Sequence, residues 1–98
     1  MNDLRFDWDP FKAATNLRKH GVAFEEAQTA FLDDSARIIE DPEHSGDESR
    51  FVLLGISASL RMLVVVHVHR TGRDTIRIIP ARRATKSERA TYVMRQWQ

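Results

Sequence analysis

The 98-residue chain contains no cysteine, which excludes disulfide bonds, thiolate metal sites and cysteine nucleophiles. No apolar run approaches the roughly 18 residues that a membrane-spanning helix needs. The first residues lack the basic-then-apolar pattern of a secretory signal. With 42% apolar and 30% charged residues, the composition is typical of a globular chain. We therefore expect a single domain over residues 1–98, located in the cytoplasm.

Charge is distributed unevenly along the chain. Residues 1–49 contain 5 Lys/Arg against 12 Asp/Glu, a net charge of −7, whereas residues 50–98 contain 10 against 2, a net charge of +8. Nine of those ten basic residues are arginine, whose planar fork of donors can grip a phosphate at two points. The asymmetry indicates a surface for a polyanion. Mutual neutralisation of two halves that pack together explains it equally well.

Two helices are predicted in the N-terminal half. Asp9 is a suitable N-cap and Pro10 a suitable first residue for a helix that runs to about His20. Its predicted inner face carries Phe11, Ala14 and Leu17. A second apolar stripe predicts a helix over about residues 24–32, with Phe24, Ala27, Ala30 and Phe31 on its inner face.

Four strands are predicted next, over about residues 36–40, 51–56, 62–68 and 75–79. Their connections are too short for crossovers, which predicts an antiparallel sheet. Pro80 marks the end of the last strand or a bulge in it. Thr85 and Glu88 then form a capping box for a final helix. The fold class is therefore α+β, with two N-terminal helices, an antiparallel meander and a C-terminal helix.

The final helix has one apolar stripe, which we expect to face the core. The stripe consists of Ala90, Val93, Met94 and Trp97. On the opposite face, which is usually exposed to solvent, lies Tyr92.

Alternation along the third predicted strand gives it two faces. Met62, Val64, Val66 and Val68 form a purely apolar face, which we expect to contact the core. The other face carries Arg61, Leu63, Val65, His67 and His69. In the next strand we expect Ile76 and Ile78 to point inward and Arg77 outward.

The hairpin between these strands decides which side chains meet. An odd loop over residues 71–73 would pair His67 with Arg77 on one open face, and we predict this register. Arg82 has the opposite parity to Arg77. It can join the same site only if the backbone kinks at Pro80.

A histidine and several arginines on one sheet face suit metal-free RNA cleavage. A base removes the 2′-hydroxyl proton, cations stabilise the charge on the phosphate, and an acid protonates the leaving oxygen. Glu48 and Arg50 are candidates to complete such a set. Three other interpretations stay open. The His67–Arg77 pair could be ordinary surface, His20 could cap helix carbonyls, and His67 and His69 could bind a metal with His44 or Asp74.

Segments spread over nearly the whole chain resemble, in the right order, the BrnT family. They are residues 6–10, 16–22 and 24–27, then His44-Ser45 with Glu48 and Arg50, then residues 77–79, 81–82, 84–85 and 88–89, and Tyr92. Pro80 departs from the family pattern, which usually has serine at this point.

The resemblance implies a RelE-like fold and a small ribonuclease toxin of a type II toxin–antitoxin system, which cuts RNA and so blocks translation. It also implies a BrnA-type antitoxin that contains a ribbon-helix-helix, with operator DNA bound only through the toxin–antitoxin complex. No cofactor, metal ion or membrane is expected. Because of Pro80, the alternative is a catalytically inactive RNA- or protein-binding module of the same fold.

We assign residue roles from the predicted position of His67 and Arg77 on one sheet face and from the resemblance to the BrnT family. The residues assigned to catalysis are His67, Arg77, Arg82 and Glu48. The residues assigned to RNA binding are Arg50, Arg61, Arg70, His20 and Tyr92.

Overall fold

The computed structural model describes residues 4–44, 49–69 and 74–96. Within these ranges it is an α+β fold, as predicted, with five strands and three α-helices. In chain order the elements are β1 (Arg5–Asp7), α1 (Pro10–His20), α2 (Phe24–Thr29), β2 (Arg37–Glu40), β3 (Arg50–Ile56), β4 (Met62–His69), β5 (Thr75–Arg83) and α3 (Lys86–Gln96). Short 3₁₀ turns cover Ala30–Leu32 and Pro42–His44.

The five strands form one sheet in the order β1-β5-β4-β3-β2. Strands β2 to β5 form the predicted antiparallel meander. The prediction that the whole sheet is antiparallel is wrong, because β1 pairs with β5 in parallel, from Arg5 opposite Thr75 to Asp7 opposite Arg77. The rule of short connections applies only to strands that follow one another, and most of the chain lies between β1 and β5.

The two faces of β4 are the reverse of those predicted. Leu63, Val65 and His67 are buried, and Leu63 and Val65 belong to the core with Phe24 and Ala27 of α2. We call this side of the sheet the core face. Both faces of β4 are largely apolar, so alternation alone could not choose between them. The opposite side, which carries Val52, Val64 and Val66, is called the groove face below.

The predicted register of the β4–β5 hairpin is also wrong. His67 lies opposite Ile78, and Arg77 lies opposite Val68. Ile76 and Ile78 do point inward, with 3% and 2% of their surfaces exposed, so β5 has the predicted orientation. His67 lies on the same inward side as Ile78. Arg77 therefore belongs to the groove face and not beside His67.

A bulge in β5 brings Arg82 to the same face of the sheet as Arg77. The sequence predicted that this would require a kink at Pro80. Val65 pairs with Ala81 and His67 with Ile78, so two residues, Ile79 and Pro80, lie opposite Val66 alone. Beyond this bulge Ala81 points into the core, and Arg82 pairs with Val64. A bulge shifts the alternation by one residue. Arg77 and Arg82 therefore both lie on the groove face.

Helix α1 begins and ends as predicted but buries a different side. Asp9 Oδ1 accepts a hydrogen bond from the Phe11 N–H at 2.8 Å, and Gly21, at φ 70°, ends the helix. The predicted inner residues Phe11, Ala14 and Leu17 are all exposed. The buried side chain of the helix is instead Asn16, a polar residue that an apolar stripe cannot predict.

Asn16 connects α1 to the edge of β5. Its Oδ1 accepts from the Ala81 N–H at 3.0 Å, and its Nδ2 donates to the carbonyls of Ala81 and Val22 at 2.7 and 2.9 Å. Strand β1 pairs only with Thr75 to Arg77, so the amide takes the place of a neighbouring strand at Ala81. Buried backbone groups require such partners.

Helix α3 also turns an unexpected side inward. Tyr92 is buried, and its hydroxyl donates to Asp33 Oδ2 at 2.7 Å. Ala90, Val93 and Met94 of the predicted inner stripe are exposed, and Trp97 lies outside the described residues. A tyrosine can contribute its ring to packing while its hydroxyl finds a polar partner. The strict apolar pattern could not anticipate that pairing.

Candidate active site

A groove of about 430 Å³ runs over the groove face of the sheet. Its floor is apolar and consists of Val52, Val64 and Val66. Titratable or charged side chains surround the floor: His20, Asp41, Glu43, Arg50, Arg82 and Glu88. These charged side chains come from α1, β3, β5, α3 and the segment that follows β2, so residues far apart in sequence meet here. The groove holds an imidazole, two guanidinium groups and three carboxylates in one concave surface.

Arg82 and Glu88 form the best-defined ion pair of the groove. Arg82 Nη1 and Nη2 each lie 2.8 Å from one carboxylate oxygen of Glu88. Glu88 also accepts from the Thr85 N–H at 2.8 Å, in the predicted capping box of α3. The hydrogen bonds from Arg82 lower the pKa of Glu88 to about 2, with burial opposing the shift. Glu88 is therefore a weak base and stays anionic at neutral pH.

Arg82 still has N–H donors available for a ligand while it is hydrogen-bonded to Glu88. A guanidinium has five N–H donors. Two point to Glu88, and Nη1 also donates weakly to the Arg83 carbonyl at 3.3 Å. Two donors thus remain without a hydrogen bond to the part of the chain that the structure describes. Two donors suit bidentate binding of a phosphate.

Arg50 is held on the opposite wall of the groove. Its Nε donates to Asp41 Oδ2 at 3.0 Å, and the Asp41 side chain is only 8% exposed. Asp41 Oδ1 accepts from the Glu43 N–H at 3.0 Å, which orients the carboxylate. Arg50 thus begins β3 in a fixed position at the groove.

His20 is the last residue of α1 and the imidazole of the groove. Asn16, one helical turn earlier, bonds both backbone groups of Ala81, the residue before Arg82. Through that connection α1 and β5 have a fixed relative position. His20 and Arg82 therefore reach the groove from two elements tied together by one buried amide.

Arg77 lies on the same face but outside the groove. It contacts Asp7 at 3.3 Å, and both side chains are 52% exposed. Its partner Val68 is four residues from Val64, the partner of Arg82, which is roughly 13 Å along the strand. An exposed pair of this kind contributes little to stability. Arg77 is free to contact a ligand that extends beyond the groove.

The family assignment rests on a comparison with known protein families. The model of the ribonuclease toxin BrnT of type II toxin–antitoxin systems matches residues 8–88. The chain belongs to the BrnT family. It is thus a ribonuclease toxin, with RNA as its target and a protein antitoxin as its partner.

A solved structure supports the BrnT fold independently. The crystal structure of the Brucella abortus ribonuclease toxin BrnT matches with a TM-score of 0.65 at 22% identity. The match covers 85% of this chain and 99% of the Brucella chain. No curated protein gives a significant match. No helix in the described ranges is long and apolar enough to span a membrane.

His67, the predicted catalytic histidine, lies on the opposite side of the sheet from the groove. It is 2% exposed, stacks on Phe51 and packs edge-on against Phe31, with centroid distances of 6.0 and 4.8 Å. Nδ1 lies 3.2 Å from the Val65 carbonyl, so it carries the proton. Burial lowers the pKa of His67 below its ordinary value. The predicted exposed face with His67 beside Arg77 is therefore wrong.

Two residues assigned to RNA binding have structural partners away from the groove. Arg61 donates to both carboxylate oxygens of Glu26 and, at 3.0 Å, to the Gly21 carbonyl, which connects the β3–β4 turn to α2. Tyr92 is buried against Asp33, and its burial, together with the hydrogen bond to Asp33, raises the pKa of Tyr92 to about 12. The predicted solvent exposure of Tyr92 is wrong, because its helix face packs inward.

Glu48 and Arg70 lie outside the described residues. The residues that are described contain no cluster of three histidine, aspartate or glutamate side chains placed to hold a metal ion. Glu88 and Asp41 were not predicted from sequence as parts of the groove. The capping box at Thr85 located Glu88 but gave it only a helix-capping role, and nothing in the local pattern indicated Asp41.

Proposed function

We propose that this BrnT-family chain is an endoribonuclease that cleaves RNA in the groove without a metal ion. The observation that carries the proposal is the meeting of His20, Arg50 and the Arg82–Glu88 pair over one apolar floor. A concave site with a few convergent polar groups is the usual form of an active site. The family supplies the substrate class, RNA, and the groove supplies groups for phosphate binding and proton transfer.

The proposed reaction is attack of the 2′-hydroxyl oxygen on the adjacent phosphorus, which breaks the bond to the 5′-oxygen. Arg82 and Arg50 bind the non-bridging oxygens and stabilise the added negative charge. The 2′-hydroxyl loses one proton and the leaving 5′-oxygen gains one; His20, the imidazole that lines the groove, makes one of these two transfers and solvent makes the other. The product is a 2′,3′-cyclic phosphate and a free 5′-hydroxyl.

Glu88 acts in this proposal as a positioning residue. With a pKa of about 2 it is poorly suited to remove a hydroxyl proton. Its bidentate contact instead fixes the plane of the Arg82 guanidinium. Arg82 itself lines the groove, so its two remaining donors have little freedom to lose when a phosphate binds there.

The biological context follows from the same proposal. Cleavage of cytoplasmic RNA would inhibit translation, and a BrnA-type ribbon-helix-helix antitoxin would neutralise the toxin. We propose that an acidic segment of the antitoxin covers the arginines of the groove. The complex, rather than the toxin alone, would bind operator DNA.

The test is cleavage of a long RNA by the purified chain in excess EDTA. Wild type should cut the RNA and leave 2′,3′-cyclic ends. Arg82→Ala should lower the rate by about 10²-fold or more, as the loss of one charge-stabilising group does elsewhere. Arg83→Ala is the matched control, because Arg83 is exposed, pairs with Leu63 and is outside the groove; its rate should stay near that of wild type.

If wild type leaves free RNA intact in EDTA, the same comparison is made with translating ribosomes. Cleavage there that depends on Arg82 would assign a ribosome-dependent nuclease to the same groove. Binding of RNA without cleavage in either assay would contradict the proposal. That result would support the inactive binding module instead.

A further inference from the structure

A second groove, of about 340 Å³, adjoins the candidate active site along α1. His20 and Pro80 line both grooves, so the two are continuous across the β5 bulge. The second groove is bordered by Phe11, Lys12 and Lys19 on α1 and by Ile79 on β5. Phe11, at its outer end, is roughly 14 Å from His20, because His20 follows nine positions later on the same helix.

Phe11 is exposed over 85% of its surface, although an apolar ring is usually turned inward. Leu32 and Leu60 are as exposed, at 81% and 86%, but neither lines either of the two grooves. Phe11 alone among these three combines exposure with a place on a basic groove that continues into the candidate active site. Its ring is therefore available for contact with a ligand there.

Two lysines supply the charge of this second groove. Lys12 and Lys19 are both exposed, and both line it. No carboxylate of the described residues lines it, in contrast to the first groove, where three do. An aromatic platform beside positive charge along a groove is the pattern by which proteins hold single-stranded nucleic acid.

We propose that the second groove is a substrate subsite that binds the single-stranded RNA flanking the scissile phosphate. One base stacks on Phe11, and the adjacent phosphates contact Lys12 and Lys19. The strand passes over Pro80, where the bulge joins the two grooves. This subsite rests on the proposed cleavage in the first groove and extends it with a source of affinity for longer RNA.

The subsite is tested first by binding, with a non-cleavable 2′-O-methyl RNA of about ten nucleotides and the whole chain. Phe11→Ala should raise Kd roughly 5- to 100-fold, as expected for the loss of one stacked base. Phe11→Trp, which keeps an aromatic ring at this position, should bind the RNA about as tightly as wild type does. Lys12→Ala and Lys19→Ala should each reduce the slope of log Kd against log salt by about 1, whereas Phe11→Ala should leave the slope unchanged.

Matched controls come from the same chain. Leu32→Ala removes an equally exposed apolar side chain, and Arg18→Ala removes a cation from the same helix outside the groove. Both should bind the RNA as wild type does. Equal Kd values for Phe11→Ala and Leu32→Ala would overturn the proposal. So would an effect of Phe11→Ala on antitoxin binding with none on RNA binding.

The catalytic readout separates the subsite from the proposed function. With a cleavable long RNA, Phe11→Ala should raise KM and leave kcat within about twofold, since stacking is made equally before and during the reaction. With a dinucleotide that fills only the first groove, it should change neither parameter. If wild type binds but never cuts, the proposed function fails, while the binding series still decides on the subsite.

Discussion

Arg82 and Glu88 hold each other through two parallel hydrogen bonds of 2.8 Å, and Glu88 at the same time caps the first turn of α3 through the Thr85 N–H. One carboxylate therefore serves both a helix end and the arginine of the candidate active site. Helix α3 and strand β5 are adjacent along the chain, so the pairing fixes Arg82 locally. The position of the arginine depends on a residue only six positions away.

Glu88→Gln should slow RNA cleavage about tenfold while leaving α3 intact. Glutamine serves in a capping box as glutamate does, but it has no charge and only one acceptor oxygen to offer Arg82. The expected loss is in kcat, measured with the EDTA assay, with circular dichroism unchanged. A variant as fast as wild type would show that Arg82 needs no carboxylate to hold it.

His67→Phe should remove a pH dependence of stability. Burial lowers the pKa of His67 in the folded protein, so the folded state takes up this proton at a lower pH than the unfolded chain, which does so near pH 6.5. A histidine with a lowered folded pKa contributes stability that is present above the unfolded value and lost as the pH falls below it. Wild type should therefore lose more stability than His67→Phe as the pH is lowered from 7.5 to 5.5, measured by urea unfolding. An equal loss in both would contradict the buried, neutral imidazole.

Tyr92 is the single tyrosine of the chain, so its ionisation can be followed by ultraviolet absorbance. In the folded protein the pKa of Tyr92 is about 12, which is well above the value near 10 that we expect after unfolding. At pH 10.5 phenolate absorbance should appear in urea but not in buffer. Tyr92→Phe should cost about 1 kcal/mol of stability by loss of the bond to Asp33 and leave RNA affinity unchanged. Weaker RNA binding at unchanged stability would instead support the RNA-binding role predicted from sequence.

Asn16→Asp should destabilise the fold by about 2–3 kcal/mol. The change removes the two Nδ2 donors and places a carboxylate against the Ala81 and Val22 carbonyls. Thr15→Ala, at an exposed position on the same helix, is the control and should change little. Urea unfolding measures both. Wild-type stability in Asn16→Asp would show that the edge of β5 needs no side-chain partner.

Local signals predicted the elements well. Asp9 and Pro10 mark the start of α1, Gly21 its end, Thr85 and Glu88 the start of α3, and each of these signals depends only on nearby backbone groups. Pro80 predicted either the end of the strand or a bulge, because proline disrupts a strand ladder at a defined position, and the bulge is the alternative found. These features do not require knowledge of what packs where.

The orientation of the elements could not be obtained in the same way. Leu63-Val64-Val65-Val66 is apolar on both sides, so the choice of inner face depended on α2, which lies about forty residues earlier. That choice carried His67 into the core and the arginines to the other side. Helix α1 similarly buries Asn16 because Ala81 needs a hydrogen-bond partner, a long-range requirement absent from any local pattern. The excess of arginine in the second half of the chain was recognised from sequence, but the groove that Arg50 and Arg82 line was not.

The most direct test of the account compares two histidines on opposite sides of the sheet. His20→Ala and His67→Phe are assayed together for RNA cleavage in EDTA, with folding checked by circular dichroism. If catalysis takes place in the groove, His20→Ala should lose about 10²-fold or more in rate, as is usual for a proton-transfer group, while His67→Phe keeps a rate near that of wild type. Loss of cleavage in folded His67→Phe with full activity in His20→Ala would contradict the account.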